Sequence, residues 1–218
     1  MPPKRIWLSL DTTAASCAAA LICDGEVVAT RIEAMKVGQA ERLFPMIADM
    51  IGDAQIDFPQ VTDIAVATGP GNFTGIRIGV AAARGLGLST GARVVGISVL
   101  EALAHKRSGP ALSTLDARGS GLYCQLFEDG VPMAEPRIDT LDDIAKYRQA
   151  GLFCAGFQAD RIAEVLGAKG FDGAMPGPAV FGQVAMTGRN VGLERPAPLY
   201  IRAADAALPM QPPPRIVP

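Results

Sequence analysis

Two stretches of this chain, 105 residues apart, carry the same punctuation. Leu10-Asp11 is matched by Leu115-Asp116, and 13 residues after each Asp stands an Asp-Gly pair, Asp24-Gly25 and Asp129-Gly130. Leu21 and Leu126 fall in register, as do Ala29 and Ala134. Asp-Gly between apolar runs is the residue pair that a two-residue hairpin turn demands, because both positions need positive φ. Each copy therefore predicts a strand ending in Asp, a second strand, a tight turn and a third strand. The first set is Ile6–Leu10, Cys17–Cys23 and Val27–Glu33; the second is Ala111–Leu115, Gly121–Phe127 and Val131–Arg137. An internal repeat of this length predicts two similar lobes.

After each three-stranded start the pattern alternates between helix and strand. Gln39–Ala54 reads as a helix, Ile64–Thr68 as a β-branched strand, Thr74–Ser89 as a long helix, Arg93–Ile97 as a strand and Val99–Lys106 as a helix. In the second half Thr140–Gln149 is expected to be helical, with Asp142 and Asp143 in its first turn, followed by a strand Leu152–Ala155 and helices Asp160–Leu166 and Ala179–Val191. The fold class is α/β, with lobes 1–107 and 111–205 and a Pro-rich tail 206–218. Five of the last ten residues are proline, which predicts an extended tail.

Composition excludes several classes. The chain has 218 residues, 20 basic and 22 acidic, for a net charge of −2. The balance is ten and ten up to Pro110 and ten and twelve beyond it, so neither lobe offers the basic surface that non-specific nucleic-acid binding needs. No apolar run is long enough to span a membrane. Asp11 interrupts the run after Lys4-Arg5 too early for a secretory signal, so a cytoplasmic protein is expected. The four cysteines form no Cys-x-x-Cys pair, and Cys17 and Cys23 read as buried reduced thiols. A single histidine, His105, is followed by Lys106 and Arg107, whose charges lower its pKa; no metal-binding spacing exists around it. Hydrolysis by Ser–His or Cys–His pairs or by a metal is therefore disfavoured.

The segment Gly69-Pro70-Gly71-Asn72-Phe73-Thr74-Gly75-Ile76-Arg77 joins a strand to a helix. Its amides can cradle an anion, or it can be a tight turn with Asn72 or Thr74 as the helix cap; it lacks both a lysine at Walker spacing and Gly-x-Gly-x-x-Gly. In the helix itself Gly75, Gly79, Ala83 and Gly87 recur every fourth residue, drawing a bare stripe. Each glycine costs about 1 kcal/mol relative to alanine, so close approach of something must offset it. That something is another helix, or the helix's own sheet. In the preceding helix Leu43, Ile47, Met50 and Ile51 form one stripe, while Phe44, Pro45 and Met46 are apolar on other faces. Apolar residues around so much of a helix favour a protein–protein surface. The expected interface comprises Arg42, Leu43, Pro45, Met46, Met50, Gly75, Ile76, Gly79, Val80, Ala83 and Gly87.

Several segments together carry a family resemblance: Leu8-Ser9-Leu10-Asp11-Thr12, Glu41-Arg42-Leu43-Phe44-Pro45-Met46-Ile47, the glycine loop through Gly79, Gly96-Ile97-Ser98-Val99-Leu100-Glu101-Ala102-Leu103-Ala104, Leu115-Asp116-Ala117-Arg118 and Tyr200-Ile201-Arg202. They resemble the TsaB (YeaZ) family, part of the bacterial machinery that makes threonylcarbamoyladenosine in tRNA. The resemblance is dense in the first half and thin in the second. It implies an actin-like, Hsp70-like (ASKHA) fold of two ribonuclease-H-like lobes. It implies a subunit without catalytic residues, cofactor or metal of its own, because the related catalytic subunit TsaD carries two metal-binding histidines where this chain has Val99 and Leu103.

The resemblance further implies that the two helices pair with TsaD, supporting transfer of a threonylcarbamoyl group to adenosine 37 of tRNAs reading codons that start with A. TsaE would be met through that complex, tRNA only within it, and a homodimer is expected when the protein is alone. The chain departs from the family pattern at Gln39-Ala40, where His-Ser is usual, at Thr12-Thr13-Ala14, where nucleotide-binding relatives place a glycine, and at Ala155-Gly156-Phe157, which has one glycine of the usual pair. Two other readings of the same scaffold are an ATP-dependent phosphotransferase using Asp11 and a glycoprotease-like hydrolase.

Overall fold

The structure is a computed structural model that describes residues 5–119, 121–189 and 195–201. Strand β1 (Ile6–Asp11) is buried along its whole length because it lies inside a sheet covered on both faces. Its residues alternate between two cores, Ile6, Leu8 and Leu10 on one side and Trp7 on the other. Around it, β2 (Ser16–Cys23) and β3 (Glu26–Ala34) run antiparallel, while β4 (Asp63–Ala67) and β5 (Arg93–Ile97) run parallel, in the order β3-β2-β1-β4-β5. The second sheet repeats the scheme. In it β6 (Pro110–Asp116) pairs antiparallel with β7 (Gly121–Glu128) and parallel with β10 (Phe153–Gly156), which carries β11 (Gly170–Asp172). Two such sheets are two ribonuclease-H-like lobes, and the fold is actin-like.

The duplication reaches single hydrogen bonds. Asp24 and Gly25 have φ of 49° and 90°, Asp129 and Gly130 have 50° and 72°, as the two central positions of a primed turn require. Asp24 Oδ1 accepts from Arg5 N at 2.9 Å, and Asp129 Oδ1 accepts from Gly109 N at 2.8 Å. At the strand ends Asp11 Oδ1 accepts from Thr13 N and Asp116 Oδ1 from Arg118 N, both at 2.8 Å.

The lobes differ where local chemistry overrides the pattern. The expected third strand Val131–Arg137 is broken into β8 (Val131–Pro132) and β9 (Arg137–Thr140), both paired with β7. Pro132 and Pro136 lack the N–H that a continuous ladder needs. The expected helix Thr140–Gln149 is only a 3₁₀ turn, Ile144–Tyr147. Buried Asp139 accepts from Lys146 Nζ at 2.5 Å and Tyr147 Oη at 2.6 Å, which draws the turn onto the sheet instead of letting it wind on.

Helices α1 (Gln39–Asp53) and α2 (Phe73–Thr90) cover one face of the first sheet. The opposite face is covered by α5 (Pro178–Met186), which comes from the second half of the chain. Ser9 Oγ donates to Pro178 O at 2.6 Å and accepts from Gly182 N at 3.0 Å, and Gly182 has no side chain because Ile22 fills that space. The strands divide between the sheets at 107–110, but α5 does not follow that boundary. Trp7, Ile97, Phe127 and Phe181 share one core between the lobes, joined by the short helix α3 (Val99–Leu103). Helix α4 (Ala159–Leu166) covers the far side of the second sheet. The expected helix Ala179–Val191 ends already at Met186, with Thr187 as its cap, and Val191, Arg202 and the tail 206–218 lie outside the described residues.

Candidate partner interface and inter-lobe cleft

The glycine loop is a capped turn. Asn72 Oδ1 accepts from Thr74 N at 3.1 Å and Gly75 N at 3.3 Å, the arrangement of a helix N-cap. The loop is also laced to its neighbours: Asn72 N donates to Thr13 O at 2.7 Å and Val99 N to Gly69 O at 2.8 Å. A Cβ on Gly71 would collide with the Thr13 carbonyl. The amides of Asn72, Thr74 and Gly75 at this helix start are thus spent within the protein.

The bare stripe of α2 faces its own sheet, which corrects the expectation that another helix packs on it. A Cβ on Gly75 would strike the carbonyl oxygen of Thr12, one on Gly79 would lie 2.5 Å from Thr12 Oγ1, and one on Gly87 would strike Val94. Ala83, Ile76 and Val80 are buried beside them, and Leu43, Met46 and Met50 of α1 are sealed in the same core. Nine of the eleven expected interface residues are therefore interior and cannot touch a partner across this surface. The physical reason is close approach from beneath: the segment after β1 meets Gly75 and Gly79, and Val94 of β5 meets Gly87, so closely that only glycine fits. Of the set, Pro45 is exposed, and Arg42 is half-buried in bonds of 2.7 Å from Nε and Nη2 to Glu33.

The opposite faces of the same helices are open. On α1 that face carries Glu41, Phe44, Pro45, Ala48 and Asp49; on α2 it carries Phe73, Arg77, Ala81, Arg84 and Leu88. Phe44 is 46% exposed, Phe73 50% and Leu88 81%, large apolar groups left open to solvent on these two helices. Helix α2 contains no acidic residue. The row 73, 77, 81, 84, 88 has helical spacing, a signal present in the sequence alongside the glycine stripe on the other side.

Between the lobes lies a cleft of about 860 Å³, walled among others by Thr13, Asn72, Arg77, Asp116, Arg118 and Tyr200. Asp11 does not open into it freely: the carboxylate is buried and accepts from Thr13 N and, at 2.7 Å, from Thr13 Oγ1. Burial pushes its pKa up, the Thr13 bonds opposing. At the mouth, the Arg77 guanidinium lies 3.7 Å over the Phe73 ring centre, and its Nε donates to Tyr200 Oη at 2.9 Å. Val99 and Leu103 are core residues of α3. His105 is half-buried with Nε2 unpartnered; burial first, then Lys106 and Arg189, push its pKa down. Among the described residues no cluster of His, Cys, Asp or Glu is placed to hold a metal, and no helix is long and apolar enough to cross a membrane.

Comparison with known proteins adds a lineage to this geometry. The family model described as TsaD, tRNA N6-adenosine threonylcarbamoyltransferase, matches residues 33–192. The tRNA threonylcarbamoyladenosine biosynthesis protein TsaB of Bacillus subtilis is 28% identical over 217 residues, covering 91% of this chain and 95% of its own length. An uncharacterised protein of Mycobacterium leprae is 32% identical over 143 residues, 64% of this chain, which spans 40% of that relative's length. Among solved structures, YeaZ from Pseudomonas aeruginosa superposes with a TM-score of 0.73 at 25% identity, covering 90% of this chain and 99% of that one.

Proposed function

Because the chain belongs to the threonylcarbamoyltransferase family and stands with its TsaB (YeaZ) proteins, we propose that it is a non-catalytic dimerisation and activation subunit of the complex that forms threonylcarbamoyladenosine in tRNA. It acts by docking the catalytic subunit TsaD, and meets TsaE and tRNA through that complex. The observation that carries the reading is the outer face of α1 and α2. Phe44, Phe73 and Leu88 are exposed there, and the small residues Ala48 and Ala81 on the same faces leave room for another helix pair to lie close. Activation by docking needs no reacting group on this chain, and Val99 and Leu103 have no lone pair to offer a metal.

The test is calorimetry of the full chain with TsaD from the same organism. Binding is expected for the natural sequence and a loss of at least about tenfold for Leu88→Asp, with an unchanged melting temperature. Equal binding by the two would refute this face as the docking site.

The inter-lobe cleft favours a second reading, an ATP-dependent phosphotransferase. Against it stands the engagement of Asp11 with Thr13 and of the glycine loop with Thr13 O. Saturable binding of magnesium-ATP by the isolated chain, lost in Asp11→Ala, would reinstate it.

A further inference from the structure

We propose that Arg77 is the residue by which this chain selects its partner: clamped between Phe73 and the returning C-terminal segment, it receives a carboxylate side chain from the docked catalytic subunit. This rests on the docking reading above. Three features support it.

The first is preorganisation. Arg77 is stacked on Phe73 and held through Nε by Tyr200, and the two rings lie 5.6 Å apart. The plane of the guanidinium is thus fixed while its Nη edge, the fork that matches a carboxylate, is left to a ligand. Tyr200 is in turn positioned by a strap running back across the first lobe. Leu199 N donates to Thr68 O at 2.8 Å, and Pro196 occupies the space a side chain on Gly96 would need. A long side chain held this way has already surrendered the rotamer freedom that binding would otherwise cost.

The second is an unmet charge. Arg31, Arg42, Arg93 and Arg107 each pair with a carboxylate, but none of the ion pairs among the described residues uses Arg77. Nothing acidic exists on α2 to satisfy it.

The third is position. Arg77 stands in the outer row of α2 with Ala81, Arg84 and Leu88, so this row is basic and apolar. A helical partner surface with acidic residues among apolar ones complements it.

The experiment compares the full chain with Arg77→Lys and Tyr200→Phe, both at exposed positions, by calorimetry with TsaD at low and high salt and by thermal melting. Arg77→Lys keeps the charge but loses the fork and the stack, and is expected to weaken binding about tenfold, the scale of losing one charge-assisted hydrogen bond. Tyr200→Phe keeps the ring and loses one acceptor, for about a fivefold loss. Melting temperatures are expected to stay unchanged, and the loss of affinity to appear at both low and high salt, since both variants keep the positive charge. Wild-type affinity in Arg77→Lys would overturn this proposal while leaving docking intact; no binding by the natural chain would end both. Arg77-dependent binding of inorganic phosphate to the isolated chain would mark a free-anion site and overturn it as well.

Discussion

Gly75 and Thr12 meet backbone to backbone. The Thr12 hydroxyl donates to the Gly75 carbonyl at 2.6 Å, and the Thr12 carbonyl oxygen sits where a Gly75 side chain would begin. This contact sets the height of α2 above its sheet, and with it the placement of the row that faces outward.

Gly75→Ala is therefore expected to destabilise the fold by about 1–3 kcal/mol or more, as overpacking of a tight site does. Gly85 lies on the same helix with nothing within 4 Å of the position of a Cβ. Gly85→Ala is expected to stabilise by up to about 1 kcal/mol, since only the helix propensity of glycine is at stake there. Denaturant unfolding of the two variants checks both signs.

Phe44 exposes its ring on α1 beside Pro45 and Ala48. Phe44→Asp is expected to change stability by less than about 0.5 kcal/mol, being a surface substitution, while raising the dissociation constant for TsaD. Paired melting and calorimetry separate the two effects.

Asp11 gives a pH dependence of defined sign. Its carboxyl is held above the ordinary value of 3.8 by burial. The stabilising contribution of the protonated form is complete below the unfolded-state pKa and is lost as pH rises through the raised folded one. Asp11→Asn keeps an oxygen to accept from Thr13 without a charge to desolvate. The variant is expected to match the natural protein in acid and to exceed its melting temperature as pH climbs, with the gap levelling off once Asp11 is ionised. Melting curves across that range read it directly.

The cysteines are expected to be silent in the native state. All four are buried. Burial, the leading cause in each case, raises the thiols of Cys17 and Cys154 to about 11 and that of Cys124 to about 12, so thiolate is scarce at neutral pH. A thiol reagent should titrate the four groups together only after denaturation.

The two-lobed plan was legible because it is written in short-range chemistry. Asp24-Gly25 and Asp129-Gly130 demand their turns whatever surrounds them, and the apolar runs beside them have strand periodicity. The third strand of the second lobe and the helix after it depart from what local pattern predicts. Their outcome hangs on Pro132, Pro136 and the buried acceptor Asp139, whose partners become neighbours only when the chain is folded.

The interface divides along the same line. Sequence by itself determined that α2 has one face that only a close neighbour can occupy, since a row of glycines is a steric statement that holds in any fold. Only the tertiary structure decided which neighbour it is. Thr12 after β1 and Val94 of β5 pass beneath α2 and fill the stripe from inside, and the strap carrying Tyr200 returns from 123 residues away to hold Arg77 on the outside. Spacing along a helix fixes which side chains share a face; which face is turned toward solvent depends on what the rest of the chain packs beneath it.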